Sequence, residues 1–291
     1  SKPAKNAHEA VQFTYLGYLS AVKEQDGAAM SLGNVSSFLD VYIQNDIEEG
    51  LIDEVLAQEY IDQFVMKLRL VRHLRPGAYD AIFGGDPTWV TEAIGGQLHD
   101  GRTKVTKTSF RFLQTLYNLG ASPEPNLTIL WSESLPQGFK DFCAQVSIDT
   151  SSLQYENDDL MRENRGSDDY GIACCVSYQE IGKTIQHFGA RANLPKALLM
   201  SLNGGREEAE GVQVVNNISE MDDEVLDYDA VMKSFKKTLA EVARVYAKSM
   251  YIIHYMHDKY AYESIEMALH DREVYRTLGC GMSGLSIAAD S

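Results

Sequence analysis

The sequence predicts an α/β protein whose strands run parallel and alternate with helices. Several long segments place apolar side chains three and four residues apart, which is the period of an amphipathic helix. Between them lies a short, continuous apolar run of the kind found in strands buried on both faces. Proline and glycine clusters separate these segments, and such alternation is typical of a parallel α/β sheet.

Three helices are predicted in the first half of the chain. His8–Lys23 and Asp53–Leu74 each carry an apolar stripe, and Arg75-Pro76-Gly77 is expected to end the second of them. Ser109–Leu119 repeats the pattern. Gly120 suits its C-terminal cap, because glycine readily adopts the left-handed backbone conformation.

A buried strand and a long helix follow. Pro123 and Pro125 interrupt the chain before Leu127–Trp131. The continuous apolar run LTILW in this segment predicts a buried strand. Further along, Tyr228–Lys259 carries an apolar stripe, and Asp229 is predicted to cap its N-terminus. Helical and extended segments together give the mixed α/β prediction.

The composition is that of a globular chain without the features of nucleic-acid or membrane binding. Its 291 residues suffice for one large or two ordinary domains, and 44% of them are hydrophobic. A net charge of −16 disfavours nucleic-acid and anionic-membrane partners, because no basic stripe could neutralise phosphates. No run reaches the roughly 18 apolar residues of a membrane span, and the first residues lack a signal-peptide core. Four cysteines in so long a chain indicate a reducing, cytoplasmic setting.

Gly279–Gly284, with the sequence GCGMSG, matches the G-x-G-x-x-G pattern of dinucleotide-binding loops. That function would require a strand before the glycines, a helix after them and an acidic residue about 20 positions later. Leu269–Leu278 instead has a helical pattern, and only seven residues follow the last glycine. We therefore expect these glycines to allow close packing and not to bind a nucleotide.

Two further groups of polar residues are weak candidates for metal sites. His254 and His257 lie three residues apart on a predicted helix, but no Glu or Cys ligand set accompanies them, which favours a structural role. The acidic segments Glu156–Asp159 and Asp168–Asp169 lack the spacing of a calcium-binding EF-hand loop. We expect solvated loops at both segments and predict no metal site.

The segment Gly171–Ser177, GIACCVS, contains two adjacent cysteines in a short apolar run. Adjacent cysteines do not readily form an unstrained disulfide. One interpretation is a strand in which both act as small hydrophobic residues. Metal binding has little support without a second ligand pair, and nucleophilic catalysis needs one thiol with a histidine base. Two thiols with separate tasks, one bonding to carbon and one passing a hydrogen atom, would indicate radical chemistry.

Longer stretches of the chain resemble the pyruvate formate-lyase family of glycyl radical enzymes, and the resemblance runs over all 291 residues. The adjacent cysteines point to this branch, because other glycyl radical enzymes carry a single active-site cysteine. The segments that carry the resemblance are GDPTWVTE (Gly85–Glu92), VSIDTSSLQYENDDLMR (Val146–Arg162), IACCVS (Ile172–Ser177), FGARANL (Phe188–Leu194) and IIHYMHDKY (Ile252–Tyr260).

The resemblance implies a fold and a route of activation. The fold would be a portion of a ten-stranded α/β barrel, two five-stranded parallel halves surrounded by helices, with the cysteine loop at the barrel centre. An activating enzyme that uses S-adenosylmethionine and an iron–sulfur cluster would place a radical on a glycine in a C-terminal loop. The R-V-S-G-Y-like pattern of that loop does not occur in this sequence. Residues 1–291 are therefore expected to be part of the catalytic domain, to lack its N-terminal portion and the glycyl radical domain, and to be inactive alone.

The resemblance also implies formate C-acetyltransferase chemistry at the cysteine pair. Cys175 would exchange hydrogen with the glycyl radical, and the thiyl of Cys174 would attack the carbonyl carbon of pyruvate. The C–C bond would break to leave acetyl on Cys174 and release formate, and coenzyme A would collect the acetyl group. Consecutive residues of an extended chain point to opposite sides, so one thiol could face the radical and the other the substrate.

The remaining site residues are implied by the same resemblance. Arg191 would hold the pyruvate carboxylate through paired charge-assisted hydrogen bonds. Phe188 and Phe83 would make apolar contacts with the substrate, and Trp89 would form an aromatic wall beside the thiols. Ala28 would also contribute to substrate binding. Without the resemblance, Trp89 and Phe83 would be interpreted as core residues.

Two alternatives stay open, and one position departs from the family pattern. A close relative prefers 2-oxobutyrate, which differs from pyruvate by one methylene, and the other alternative is a non-catalytic truncated homologue that acts as a scaffold. The family forms homodimers, so the full-length protein is expected to do so. Tyr178 stands where the family has proline, which leaves the rigidity of the cysteine loop open.

Overall fold

The computed structural model describes residues 2–25, 29–72, 77, 81, 87–174, 177–260 and 268–291. The chain divides into two compact units. The first comprises Ser1–Ile185 with Glu263–Tyr275, and the second comprises Gln186–Tyr262 with Arg276–Ser291. The cysteine pair belongs to the first unit.

Helices and strands alternate along the first unit. Its helices are α1 (Ala7–Gln25), α2 (Val35–Glu48), α3 (Glu54–Leu70), α4 (Lys107–Asn118), α5 (Gln137–Thr150) and α6 (Asp158–Arg165). Its strands are β1 (Ala29–Gly33), β2 (Trp89–Gly95), β3 (Asn126–Trp131), β4 (Leu153–Asn157), β5 (Tyr170–Ala173) and β6 (Ser177–Glu180). This alternation confirms the predicted α/β class.

The strands β1 to β4 form one sheet in that order. All of its neighbouring strands are parallel, as the sequence pattern predicts. Ser31 of β1 lies opposite Thr91 of β2, and the register of this pair shifts just after Ser31. Ala93 of β2 lies opposite Thr128 of β3. Residues facing each other in this way share one face of the sheet, so the register defines which side chains each layer meets.

One face of the sheet packs against helices through the main hydrophobic core. Val90 and Ile94 of β2 and Leu127 and Ile129 of β3 belong to this core, and all are almost completely buried. The helices contribute residues that include Leu39, Ile43, Ile61, Phe64, Leu68, Phe112, Leu113, Phe139 and Val146. Burial of so much apolar surface makes this face the main source of stability in the unit.

The opposite face of the sheet is covered by the antiparallel β5–β6 hairpin. Ala93 and Leu130 of the sheet and Tyr170 and Ile172 of β5 form a second buried cluster. Tyr178 of β6 packs against this cluster and stacks on Tyr170, with the ring centroids 5.0 Å apart. The two stacked tyrosine rings therefore pack the two strands of the hairpin against each other.

The three predicted helices of the first unit form, with shifted ends. Helix α1 contains all of the predicted segment. Helix α3 follows the expected cap, Asp53, whose side chain accepts from the backbone N of Leu56 at 2.8 Å. It ends at Leu70 and not at Leu74, because Val71 already has an extended backbone. Helix α4 begins before Ser109, since the capping box starts at Thr106.

The second unit is built around a long helix. It contains β7 (Thr184–Asn193, whose first residues belong to the first unit), α7 (Leu194–Leu202), α8 (Tyr228–Tyr260), β8 (Tyr275–Ser283) and α9 (Leu285–Asp290), and β7 pairs with β8. The predicted long helix is confirmed as α8. Its N-terminal cap is Asp227 and not Asp229, because Oδ1 of Asp227 accepts from the backbone N of Ala230 at 2.8 Å.

The prediction of a helix over Leu269–Leu278 is wrong. Residues Tyr275–Ser283 form β8, in which exposed and half-buried side chains largely alternate, as in a half-covered strand. Pairing with β7 therefore overrides the helical spacing. A Cβ at Gly284 would lie 2.5 Å from Cδ of Pro195, so the last glycine of the G-x-G-x-x-G segment allows close packing, as expected.

Candidate active site

Cys174, the first residue of the cysteine pair, lies at the tip of the β5–β6 hairpin and not inside a strand. Ala173 pairs with Ser177 at the end of the hairpin, and Cys174 begins the turn between them. The Cys174 side chain is half-buried, and its backbone has a φ of +60°, in the left-handed region that residues other than glycine rarely occupy. The expectation of an extended chain at Cys174 is therefore wrong, because short hairpin loops commonly contain a left-handed residue. Cys175 lies outside the described residues.

Strand β2 holds the tip of the hairpin through a side-chain hydrogen bond. The Thr91 hydroxyl donates to the carbonyl oxygen of Cys174 at 3.0 Å, and Thr91 is completely buried. Trp89 is half-buried at the start of β2, two residues before Thr91 and therefore on the same face. The structure thus brings Cys174 to the face of the sheet on which Trp89 lies.

The hairpin approaches β1 at backbone contact distance. A Cβ at Gly171 would lie 2.6 Å from Oγ of Ser31 and 2.8 Å from Cα of Gly33. Such distances leave no room for a side chain, so glycine is required where β5 crosses β1. On the other strand of the hairpin, Ile181 follows β6, and its Cδ1 lies 2.7 Å from the position of a Cβ at Gly33. Close packing therefore fixes the hairpin against the sheet.

A buried carboxylate anchors the first residue of β5. Asp158 is completely buried, and the Tyr170 hydroxyl donates to its Oδ1 at 2.8 Å. Nε of Arg162 and the backbone N of Gln97 donate to Oδ2 at 2.9 Å and 3.0 Å. These donors and the ion pair with Arg162 compensate the burial of the charge. The expectation of a solvated loop over Glu156–Asp159 is wrong for Asp158, because strand β4 runs directly into helix α6 there.

Asp168, in the second acidic segment, makes further hydrogen bonds close to the Asp158–Tyr170 contact. Oδ2 of Asp168 accepts from the backbone N of His99 at 2.6 Å, and its backbone O accepts from Nζ of Lys104 at 2.5 Å. The Lys104 ammonium also lies 5.6 Å from the centroid of the Tyr170 ring. Burial lowers the pKa of Lys104, and nearby acids, Asp158 first among them, oppose that shift. Asp168 therefore has a structural role beside the hairpin.

Glu92 is a buried acid that follows Thr91 in β2. Its two carboxyl oxygens accept from the backbone N of Val35 at 3.2 Å and of Ser36 at 2.8 Å, at the N-terminus of α2. Burial raises the pKa of Glu92 to about 8, and the hydrogen bonds from Ser36 and Val35 oppose the rise. The sequence analysis did not single out Glu92 or Thr91. The available signal was a pair of polar residues inside an otherwise apolar strand.

Arg191 lies in β7 of the second unit and has an exposed side chain. The carbonyl oxygen of its neighbour Ala190 accepts from the Tyr246 hydroxyl at 2.7 Å, so α8 holds this part of the strand. Phe188 lies in the same strand, but its side chain is outside the described part of the structure. The remaining predicted site residues, Ala28, Phe83 and Cys175, lie outside the described residues altogether.

The histidine pair lies on α8, where His254 is half-buried and the side chain of His257 is not described. Within the part of the chain that the structure covers, no group of three or more His, Cys, Asp or Glu side chains is arranged to hold a metal ion. Among these same residues, none of the helices has the length and hydrophobicity that a bilayer crossing requires.

The fold of this chain is similar to that of solved structures that include a glycyl radical enzyme. A glycyl radical enzyme from Archaeoglobus fulgidus superposes with a TM-score of 0.81 at 18% identity, over 100% of this chain and 40% of its own. The glycerol-bound B12-independent glycerol dehydratase from Clostridium butyricum gives 0.78 at 22% identity, over 97% and 38%. These neighbours confirm the predicted fold class.

The chain belongs to the pyruvate formate lyase-like family, whose model matches residues 1–291. A formate acetyltransferase from Haemophilus influenzae is 59% identical over 291 residues, which are 100% of this chain and 38% of the relative. The chain therefore spans well under half the length of this relative, and the family resemblance stated from its motifs is confirmed.

Proposed function

We propose that the full-length protein is a formate C-acetyltransferase that converts pyruvate and coenzyme A to acetyl-coenzyme A and formate. The observation that carries this proposal is the position of Cys174 at the tip of a hairpin on the buried face of the sheet. The 59% identity to a protein named formate acetyltransferase supports the choice of reaction. The protein would act as a homodimer in the cytoplasm.

The reaction assigns a separate task to each cysteine. A glycyl radical elsewhere in the full-length protein, installed by an S-adenosylmethionine and iron–sulfur activating enzyme, would supply the unpaired electron. Cys175 would give up its thiol hydrogen and regain it from Cys174, whose sulfur then adds to the carbonyl carbon of pyruvate. Cleavage of the adjacent C–C bond would leave acetyl on Cys174 and release a carbon dioxide radical anion. This radical anion would take a hydrogen atom from the Cys175 thiol and leave as formate, and the Cys175 sulfur would regain hydrogen from the glycine, which restores the glycyl radical. The coenzyme A thiol then accepts the acetyl group.

The surroundings of the hairpin suit this chemistry. Ala93, Leu130 and Ile172 exclude water from the sheet face beneath β5, and all three are fully buried. A dry site limits side reactions of carbon-centred radicals. The hydroxyl of Thr91 is engaged with the Cys174 carbonyl, so this nearby polar group is held in a fixed orientation.

Substrate recognition is proposed to rest on Arg191, which would bind the pyruvate carboxylate, with Phe188, Phe83, Trp89 and Ala28 as apolar contacts. The test uses the full-length protein, activated anaerobically and supplied with pyruvate and coenzyme A. We expect equal amounts of formate and acetyl-coenzyme A. Arg191→Lys should lower kcat/KM for pyruvate by roughly 10- to 100-fold, because loss of a bidentate contact costs about 1.5–3 kcal/mol.

The yield of glycyl radical, measured by electron paramagnetic resonance, is the control and should be the same in both proteins. Unchanged pyruvate kinetics in Arg191→Lys would contradict the role of this residue. Parallel assays with 2-oxobutyrate test the closest alternative. One methylene in a pocket changes the free energy of transition-state binding by about 1–3 kcal/mol, so kcat/KM should differ measurably between the two substrates. A radical signal without turnover of either 2-oxo acid would contradict the proposed reaction.

A further inference from the structure

Thr91 makes a contact that the proposed reaction does not use. Its hydroxyl is completely buried on β2 and donates to the carbonyl oxygen of Cys174 at 3.0 Å. A buried hydroxyl needs a partner, and here the partner is a backbone atom of the proposed acyl acceptor. The contact therefore links the rigid sheet directly to the tip of the hairpin.

The backbone of Cys174 explains why this contact matters. Its φ of +60° is unfavourable for a residue with a side chain, and such conformations persist where surrounding contacts impose them. The Cys174 carbonyl also belongs to the planar peptide unit that joins Cys174 to Cys175. A hydrogen bond to this oxygen restrains the rotation of that peptide plane, and with it the backbone that carries the Cys174 thiol.

Other contacts hold the hairpin at a distance from its tip. Tyr170 is anchored to Asp158 at the start of β5, and Gly171 lies against Ser31 and Gly33 of β1. These contacts act on the strand and not on the peptide plane at the tip. The hydroxyl of Thr91 acts on that plane directly.

We propose that Thr91 is a positioning residue that sets the orientation of the Cys174 thiol by holding the Cys174 carbonyl. The inference deepens the proposed function and rests on it, because the direction of the Cys174 thiol matters for the transfer of its hydrogen and for attack on the substrate. Thr91 is not a catalytic residue, since its side chain contacts the backbone and not the reacting sulfur.

The experiment compares three variants of the full-length protein. Thr91→Val keeps the shape and removes the hydroxyl, whereas Thr91→Ser keeps the hydroxyl and removes the methyl group. Thr128→Val is the matched control, because Thr128 is equally buried on the same face of the sheet, and its hydroxyl donates to Oδ1 of Asn126 at 2.7 Å and not to the hairpin. Each protein is assayed for kcat, for KM and for glycyl radical yield.

A second readout does not depend on turnover. The protein without its radical is treated anaerobically with iodoacetamide, and fragment-ion mass spectrometry measures how the label divides between Cys174 and Cys175. A change in the orientation of the Cys174 thiol should change this division, whereas a uniform loss of stability should not.

We expect Thr91→Val to lower kcat by roughly 10- to 100-fold, because a small displacement of a reacting group slows the reaction by such factors. The KM for pyruvate and the radical yield should stay near those of the wild type. Its label division should change, while Thr91→Ser and Thr128→Val should match the wild type in both readouts. Wild-type kcat and labelling in Thr91→Val would overturn the proposal, and so would equal defects in Thr91→Ser or Thr128→Val.

Two further results, an inactive wild-type protein and an unfolded Thr91→Val variant, also leave the proposal testable. If the wild-type protein turns over no 2-oxo acid, the proposed function fails, and the labelling comparison alone decides the role of Thr91. If Thr91→Val does not fold, the comparison uses Thr91→Ser and Thr91→Ala, which differ by one hydroxyl. The proposal then requires wild-type labelling in the serine variant and altered labelling in the alanine variant; identical labelling would overturn it.

Discussion

The two faces of the four-stranded sheet bury different kinds of side chain. The face toward the helices carries the apolar residues Val90, Ile94, Leu127 and Ile129 and one buried acid, Glu92. The face toward the hairpin carries Thr91 and Thr128 beside Ala93 and Leu130, and the two threonines are completely buried as well. The helix face therefore stabilises the unit mainly by burying apolar surface, while the hairpin face combines burial with a directional hydrogen bond to the cysteine loop.

This difference shows how the sheet can position a reactive loop without losing its core. Apolar packing is tolerant of small shifts, because it depends mainly on area and volume. A hydrogen bond of 3.0 Å between Thr91 and Cys174, and a glycine contact at Gly171, depend on direction and distance. Changes on the hairpin face should therefore affect activity more than stability, and changes on the helix face should do the reverse.

The largest effect is expected on the hairpin face, from Gly171→Ala in the full-length protein. The new Cβ would meet Ser31 and Gly33 within 3.0 Å, so the hairpin must move away from β1. We expect kcat for pyruvate cleavage to fall by about 100-fold and the free energy of unfolding to fall by about 1–3 kcal/mol. Activity assays and denaturant titration measure the two quantities.

Gly138→Ala is the matched control for this change. Gly138 lies in α5 with no atom within 4 Å of the position of a new Cβ. Alanine is favoured over glycine inside a helix, so this variant should be as active and at least as stable as the wild type. Wild-type kcat in Gly171→Ala would show that the close approach to β1 does not position the cysteine.

A smaller effect, on stability, is expected at Glu92 on the helix face. Burial raises its pKa from an ordinary value of 4.5 to about 8, so the folded protein binds more protons than the unfolded chain between these values. The stability that this proton contributes is complete below pH 4.5 and is lost progressively as the pH rises through about 8.

Glu92→Gln should remove this pH dependence and lower the free energy of unfolding by about 1–3 kcal/mol, because the amide nitrogen cannot accept from Val35 or Ser36. Denaturant titrations at several pH values between 5 and about 8 measure, for each protein, the slope of the unfolding free energy against pH. Since Glu92 faces α2, kcat of the folded variant should change little. An identical slope in both proteins would show that Glu92 does not titrate in this range.

The sequence predicts the class of the fold better than it predicts the conformation of the site. Apolar periodicity gave the helices and the strand Leu127–Trp131, because those segments are dominated by burial on one face or both. The prediction of burial is correct for Leu127–Leu130 and wrong for Trp131, which is exposed at the end of β3. The strand β8 was mistaken for a helix, since its pairing with β7 is a long-range interaction that local spacing does not record. The burial of Asp158 was missed for the same reason, because its partners Tyr170 and Gln97 lie 12 and 61 residues away along the chain.

The candidate site shows the same limit. The two cysteines stand out because adjacent thiols are unusual, and the family resemblance gave them roles. The left-handed conformation of Cys174 could not be foreseen, because a donor from β2 and the hairpin turn impose it. Thr91 was overlooked because a threonine in a strand normally indicates β propensity and gives no sign of a backbone partner far along the chain.

The most direct test of the account is to locate the acetyl group on the activated full-length protein. The protein is incubated anaerobically with isotope-labelled pyruvate in the absence of coenzyme A, quenched in acid to suppress transfer between thiols, and analysed by fragment-ion mass spectrometry. The account predicts labelled acetyl on Cys174 of the wild type and none on Cys174→Ser, which should still exchange its glycyl radical hydrogen with solvent. Cys175→Ser should lose both activities. Acetyl on Cys175, or any covalent acetyl adduct in Cys174→Ser, would contradict the account.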